Sequence, residues 1–139
     1  MIGDLAYRVN PHKLVEEIAL MLEKEKIEMP VDADLIKTGS GRQYSPMQSN
    51  WFLLRTASVL RQAAIKNGIS LNGLAYRYGN RKNRGVRPTK FARGSRYVIE
   101  MAVENLVKLG WIDFKQKDGI VTEKAEGVLK KCIEQVRSC

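Results

Sequence analysis

Apolar residues recur at helical spacing in four long segments, alternate in one short segment over 111–122, and give way between them to a glycine-punctuated basic run. These three observations predict a mainly α fold: a winged helix-turn-helix-like domain with a small β-hairpin wing and a long basic loop. The 139 residues suit a single domain, 1–139, with room for a real core.

The elements follow in order along the chain. Asn10-Pro11 supplies an N-cap and a proline at the first helical position. Leu14, Val15, Ile18 and Leu22 then recur on one face, which predicts a helix over 11–26 ended by Met29-Pro30. A short turn of helix around Ala33–Ile36 and the loop TGSGRQ come next. Ser45-Pro46-Met47-Gln48 offers a Ser cap, a proline at N1 and a Gln that completes a capping box, so a second long helix is expected from 46 to Lys66, stopped by Asn67-Gly68. Its apolar side carries Phe52, Leu53, Ala57, Val59, Leu60, Ala63 and Ala64. Trp51, Arg55, Ser58, Arg61 and Gln62 fall on the other side, with no acid among them.

A shorter helix fits 71–78. The glycines and Arg87-Pro88 then predict a loop from Gly79 to Gly94. Ser95 can cap a helix reaching Leu109, whose stripe of Val98, Ile99, Ala102, Val103, Leu106 and Leu109 should be buried. Arg96, Tyr97, Glu100, Met101, Glu104 and Lys108 lie opposite. WIDFK and GIVT, separated by turn residues, predict the hairpin over 111–122. Thr122 can cap a last helix, 123–137, built on Ala125, Val128, Leu129, Cys132, Ile133 and Val136.

Charge is the most informative feature. Residues 1–34 carry a net charge of −4, residues 35–99 carry +13, and the remainder is neutral. The middle 65 residues contain no Asp or Glu at all, whereas a solvated surface normally mixes both signs. The peak is RYGNRKNRGVRPTKFARGSRY, residues 77–97, with eight Lys or Arg. Such a run calls for a polyanion.

Other classes of function find little support. The single histidine, His12, sits in the first turn of a helix and reads as exposed or capping. No Cys, His and carboxylate cluster has metal-ligand spacing, so neither a metal nor a cofactor is expected. The basic region lacks a carboxylate for general-base work, and its glycines do not have P-loop spacing. No enzyme and no small-molecule substrate are expected. Apolar runs are too short to cross a membrane, and MIGDLAYRVN lacks the order of a secretory signal. Two cysteines, Cys132 and Cys139, fit a reducing compartment, cytosolic or nuclear, and Cys132 falls among buried positions.

Nucleic acid is the natural polyanion. Arginine grips phosphate bidentately, and glycine lets backbone amides approach it. Arg93-Gly94-Ser95-Arg96 would set two guanidiniums beside a helix N-terminus. Tyr76, Tyr78, Phe91 and Tyr97 interleave the charges and can stack on unpaired bases. The candidate RNA-binding residues are Lys37, Arg42, Trp51, Arg55, Arg61, Arg77, Tyr78, Arg81, Lys82, Arg84, Arg87, Lys90, Arg93, Ser95 and Arg96. The rival reading is a winged-helix DNA regulator. It would place Glu100 and Glu104 of its reading helix against phosphates, so structured RNA fits better than an operator.

Three motifs in order, NWFLLRTASVLR (50–61), YGNRKNRGVRP (78–88) and FARGS (91–95), resemble small-subunit ribosomal protein nineteen of the archaeal and eukaryotic e-type family. VDADLIKTG (31–39), LVKLGWID and VTEKAEG extend the resemblance over nearly the whole chain. It implies a winged-helix-like, mainly α protein bound to small-subunit rRNA in the head of the subunit, beside neighbouring small-subunit proteins in the cytoplasm, and needed for late subunit maturation. It assigns RNA contact to Arg55, Arg61 and the 78–88 segment. The chain departs from relatives after FARGSRYVI, where Glu100, Met101 and Glu104 replace a typically basic continuation.

Overall fold

The computed structural model describes residues 2–27, 37–42, 44, 46–66, 68–115 and 118–138. Among these lie six helices and two separate antiparallel hairpins. The helices are α1 (Ile2–Arg8), α2 (Pro11–Lys24), α3 (Trp51–Lys66), α4 (Leu71–Arg77), α5 (Arg96–Lys108) and α6 (Glu123–Ser138). Strands β1 (Asn80–Arg84) and β2 (Arg87–Ala92) separate α4 from α5, and β3 (Ile112–Lys115) and β4 (Asp118–Val121) separate α5 from α6.

Helix α3 is the centre of the core. Its buried Phe52, Ala57, Val59, Leu60, Ala63 and Ala64 pack among α1, α2 and α5. Leu14, Ile18, Ala19 and Leu22 of α2 meet it from one side, and Val98, Ile99, Ala102 and Leu106 of α5 belong to the same cluster. Helix α6 closes the core against α1 and α2 through Ala125, Leu129, Cys132, Ile133 and Val136. Burial pushes the Cys132 thiol up to about 11, so it stays protonated and serves as apolar filling.

Helix α1 carries no sequence signal that periodicity detects. Seven residues are too few to be helical alone, and packing supplies what propensity lacks. Gly3 makes that packing possible: a Cβ there would come within 2.7 Å of the Ala64 carbonyl oxygen of α3.

Most expected boundaries agree with the structure. The Asn10 side chain accepts from the His12 amide, Ser70 caps α4 through the Gly73 amide, and the Thr122 hydroxyl accepts from the Ala125 amide at the start of α6. Helix α2 stops at Lys24, and Lys26 takes a left-handed φ of 53° just beyond it. The expected Met29-Pro30 stop, the turn at Ala33–Ile36, the Ser45 cap, Asn67 and Cys139 lie outside the described residues. Ser95 precedes α5 as expected, but its side chain makes no capping bond.

Three expectations need correction. Helix α3 begins at Trp51, not 46, because the Asn50 carbonyl accepts its first helical bond, from Leu54. Its polar side is not simply solvated either. Trp51 and Gln62 are buried, and Tyr78 at the end of α4 lies over that side. The long basic loop is itself a hairpin. Asn80 pairs with Ala92, Arg81 with Phe91 and Lys82 with Lys90, and Arg84 pairs with Arg87 across a bulge. The bulge accommodates Pro88, which lacks an amide to donate, and Gly85 supplies the positive φ of 74° that a two-residue connection demands. Neither face of this hairpin is apolar, so no alternation advertised it.

The second hairpin is anchored to the body by Ile69, whose amide donates to the Gly119 carbonyl at 3.0 Å and whose carbonyl accepts from the Gly119 amide at 2.8 Å. Trp111 and Ile112 are buried beneath it.

Leu60 is fully buried at the centre of this packing. Leu60→Ala should cost roughly 2–5 kcal/mol of unfolding free energy through the cavity it leaves. Urea melts followed by circular dichroism measure this, and a loss below about 1 kcal/mol would remove α3 from the centre of the core.

Candidate nucleic-acid interface

The β1–β2 hairpin projects Arg81, Lys82, Arg84, Arg87 and Lys90 into solvent. Register sets like against like: Lys82 faces Lys90 and Arg84 faces Arg87. Some local order offsets the repulsion. Asn83 Oδ1 accepts from the Gly85 amide, Arg84 Nε donates to the Pro88 carbonyl, and Arg81 reaches the Thr89 hydroxyl at 3.4 Å. All of these partners are neutral. Among the described residues, no carboxylate pairs with these cations.

At the hairpin base, three side chains form a column. The Tyr76 and Phe91 rings stack with centroids 6.0 Å apart and planes within 4°. The Arg93 guanidinium lies 4.4 Å from the Tyr76 centroid and donates to the Tyr76 hydroxyl at 2.6 Å. About half of each ring remains exposed. The column is tied to the body by Gly94, whose amide donates to the Ala75 carbonyl, and by Ser95, whose amide donates to the Thr38 carbonyl.

Beside it, a cleft of about 550 Å³ brings Arg42, Trp51, Arg55 and Tyr78 together with Leu54 and Met47. The Arg55 guanidinium sits 4.1 Å from the Tyr78 centroid, a cation–π contact. The Tyr78 hydroxyl pairs with Ser58 Oγ at 2.7 Å, which fixes the ring that Arg55 rests on. Trp51 is held edge-to-face against Phe52. Burial lowers the Arg55 pKa, Tyr78 opposes the drop, and the Arg42 charge adds to it.

An adjoining groove contains Arg61 and Arg77 with His12 and Glu16. Burial, followed by the Arg77 charge, lowers the Arg61 pKa. Arg61 Nε is buried with no hydrogen-bond partner among the described residues. A buried charged donor left unpaired is costly.

The sequence-derived residues thus fall into four neighbouring groups, with Lys37 exposed at the edge of the loop that follows. Arg96 differs from the rest, because its Nε already donates to Glu100 at 2.9 Å in an exposed pair. Sequence reasoning passed over Ser58 and the placement of His12 beside Arg61, since both depend on how α2, α3 and α4 meet. It also weighed Tyr76 and Phe91 separately, though the end of α4 and strand β2 bring them into one stack. No cluster of metal-ligating side chains occurs among the described residues.

The ribosomal protein S19e family matches residues 5–138. This chain belongs to that family. The small ribosomal subunit protein eS19 of Encephalitozoon cuniculi is 39% identical over 132 residues, covering 94% of this chain and 96% of its own length. The eS19G protein of Ascaris suum is 32% identical over 133 residues, with 93% and 89% covered. The eS19 protein of Oryza sativa subsp. japonica is 32% identical over 112 residues, with 80% and 77% covered. Members of the S19e family are structural ribosomal proteins of the small subunit, and this one is structural, not enzymatic.

Burial raises the Tyr78 pKa, opposed by the Ser58 bond and then by Arg55, Arg77 and Arg61. The folded protein therefore favours the neutral phenol. Its contribution is complete below the unfolded value of about 10 and is lost as pH rises towards the folded value. Unfolding free energy should fall above about pH 10 more steeply in wild type than in Tyr78→Phe. Equal pH slopes would show that the ring is not buried.

Proposed function

We propose that the chain is one rRNA-binding domain, 1–139, that sits in the head of the small subunit in the cytoplasm and is needed for late maturation of that subunit and for translation. The observation that carries this reading is the like-with-like register of β1 and β2. Like charges directly opposite across a hairpin are destabilising. A fold that keeps two such pairs, with no acid in 35–99 to relieve them, is arranged for phosphates to do so. Lys37, Arg42, Arg55, Arg61, Arg77, Arg81, Lys82, Arg84, Arg87, Lys90, Arg93 and Arg96 supply the positive charge. Trp51, Tyr78 and Ser95 shape the surface around them.

In this reading α4 and α5 form a winged helix-turn-helix-like pair, with β3–β4 as the wing and the basic hairpin in place of the turn. The Arg96–Glu100 pair keeps the outer face of α5 from serving as a DNA-reading surface. Neighbouring small-subunit proteins are the second class of partner. Helix α2 exposes Leu20 beside Glu16, Glu17 and Glu23, a surface suited to a basic protein neighbour.

Binding to small-subunit rRNA should weaken steeply with salt, with a log–log slope of several units. Lys90→Glu should lower affinity by about tenfold or more without lowering thermal stability, because it faces Lys82 and turns a repulsive pair into an attractive one. A slope of about one or less, or a destabilised variant with unchanged affinity, would contradict the proposal.

A further inference from the structure

We infer that the Arg42–Trp51–Arg55–Tyr78 cleft is a pocket for a single unpaired nucleotide, into which the bound RNA inserts one extruded base with its phosphate. The inference rests on the rRNA-binding reading and specifies what part of the RNA this site takes. Three observations support it. The cleft's volume of about 550 Å³ lies within the roughly 300–1,000 Å³ of small-ligand sites, whereas a grip on duplex backbone needs only a flat or convex charged surface. Its lining is chemically mixed: Trp51, Leu54 and Pro46 present apolar surface, and Arg42 and Arg55 bring two guanidiniums to the same space. Among the described lining residues no carboxylate offsets those cations.

Contacts within the chain itself build the geometry. Arg55 rests on Tyr78, Tyr78 is fixed by Ser58, and Trp51 is braced by Phe52, so little ordering remains for binding to complete. Paired RNA cannot use such a site, because its bases are stacked inside the helix. An unpaired nucleotide offers a flat ring for the apolar wall and a phosphate for the guanidiniums, joined in one unit. The cleft differs in kind from the β1–β2 hairpin, whose exposed cations can follow any phosphate backbone.

The full chain, labelled for NMR at its two tryptophan indoles, tests this with two probes of equal nucleotide count: an unstructured single-stranded oligoribonucleotide and a perfectly paired RNA duplex. Trp51 lines the cleft and Trp111 is buried in the core, so the two indoles separate local binding from global change. The single strand should shift the Trp51 indole and leave Trp111 in place. The duplex should shift hairpin amides alone. Gln48→Glu, which sets a carboxylate at an exposed position on the cleft wall, should abolish the Trp51 shift and weaken single-strand binding about tenfold while duplex affinity holds. If both probes move the hairpin amides and neither moves Trp51, the pocket is refuted and the rRNA reading stands. If neither probe moves any residue of the basic surface, the rRNA reading fails with it.

Discussion

The burial of one side of α3 against α1, α2 and α5 sets the position of everything on the basic surface. Phe52, Ala57, Leu60 and Ala64 fix the rotation of the helix, and that rotation carries Arg55, Ser58 and Arg61 to the opposite side. Ser58 then receives the Tyr78 hydroxyl, Tyr78 receives the Arg55 guanidinium, and α4 is held at the angle from which the basic hairpin departs. Gly3 belongs to the same arrangement, since it lets α1 close on the end of α3. Core packing and the candidate RNA-binding residues thus share a helix, and a cavity on one side would loosen the other.

Positive charge is stored in this fold at some cost to its stability. Folded proteins usually disperse like charges or pair them, whereas here the strand register brings them together. The neutral acceptors at Thr89, Pro88 and Asn83 orient the hairpin without neutralising it. Partly buried cations at Arg55 and Arg61, both with lowered pKa, extend the same imbalance inward. An RNA backbone supplies many phosphates at close spacing, which a single acidic side chain could not.

Much of this was legible in the sequence, for reasons that differ by element. Helices α2, α5 and α6 announce themselves because each buries one stripe and exposes the other, and Asn10 and Thr122 mark where two of them start. The β3–β4 hairpin was equally plain, because turn residues separate the WIDFK and GIVT runs, and along β3 Ile112 is buried while Asp113 is exposed. The β1–β2 hairpin was hidden because both its faces are polar, and apolar alternation is the only long-range signal a strand sends. The start of α3 was misplaced because Ser45-Pro46-Met47-Gln48 has the pattern of a helix start, whereas the first helical bond is the one the Asn50 carbonyl accepts from Leu54. Candidate RNA-binding residues were visible as charge, but the cleft was not. Arg42, Trp51 and Tyr78 come from three separate segments, and no spacing rule links them.

The central claim is that the hairpin's repulsion is relieved by RNA phosphates, and hydrogen exchange reads this most directly. Amide exchange over β1 and β2 should be compared in the free protein and in its complex with small-subunit rRNA, at constant salt. The account predicts that cross-strand amides from Arg81 to Phe91 exchange readily when free and become strongly protected in the complex, while the α3 amides change little because the core is already packed. Equal protection of the hairpin in both states would contradict it, since the like charges would then be balanced within the protein itself.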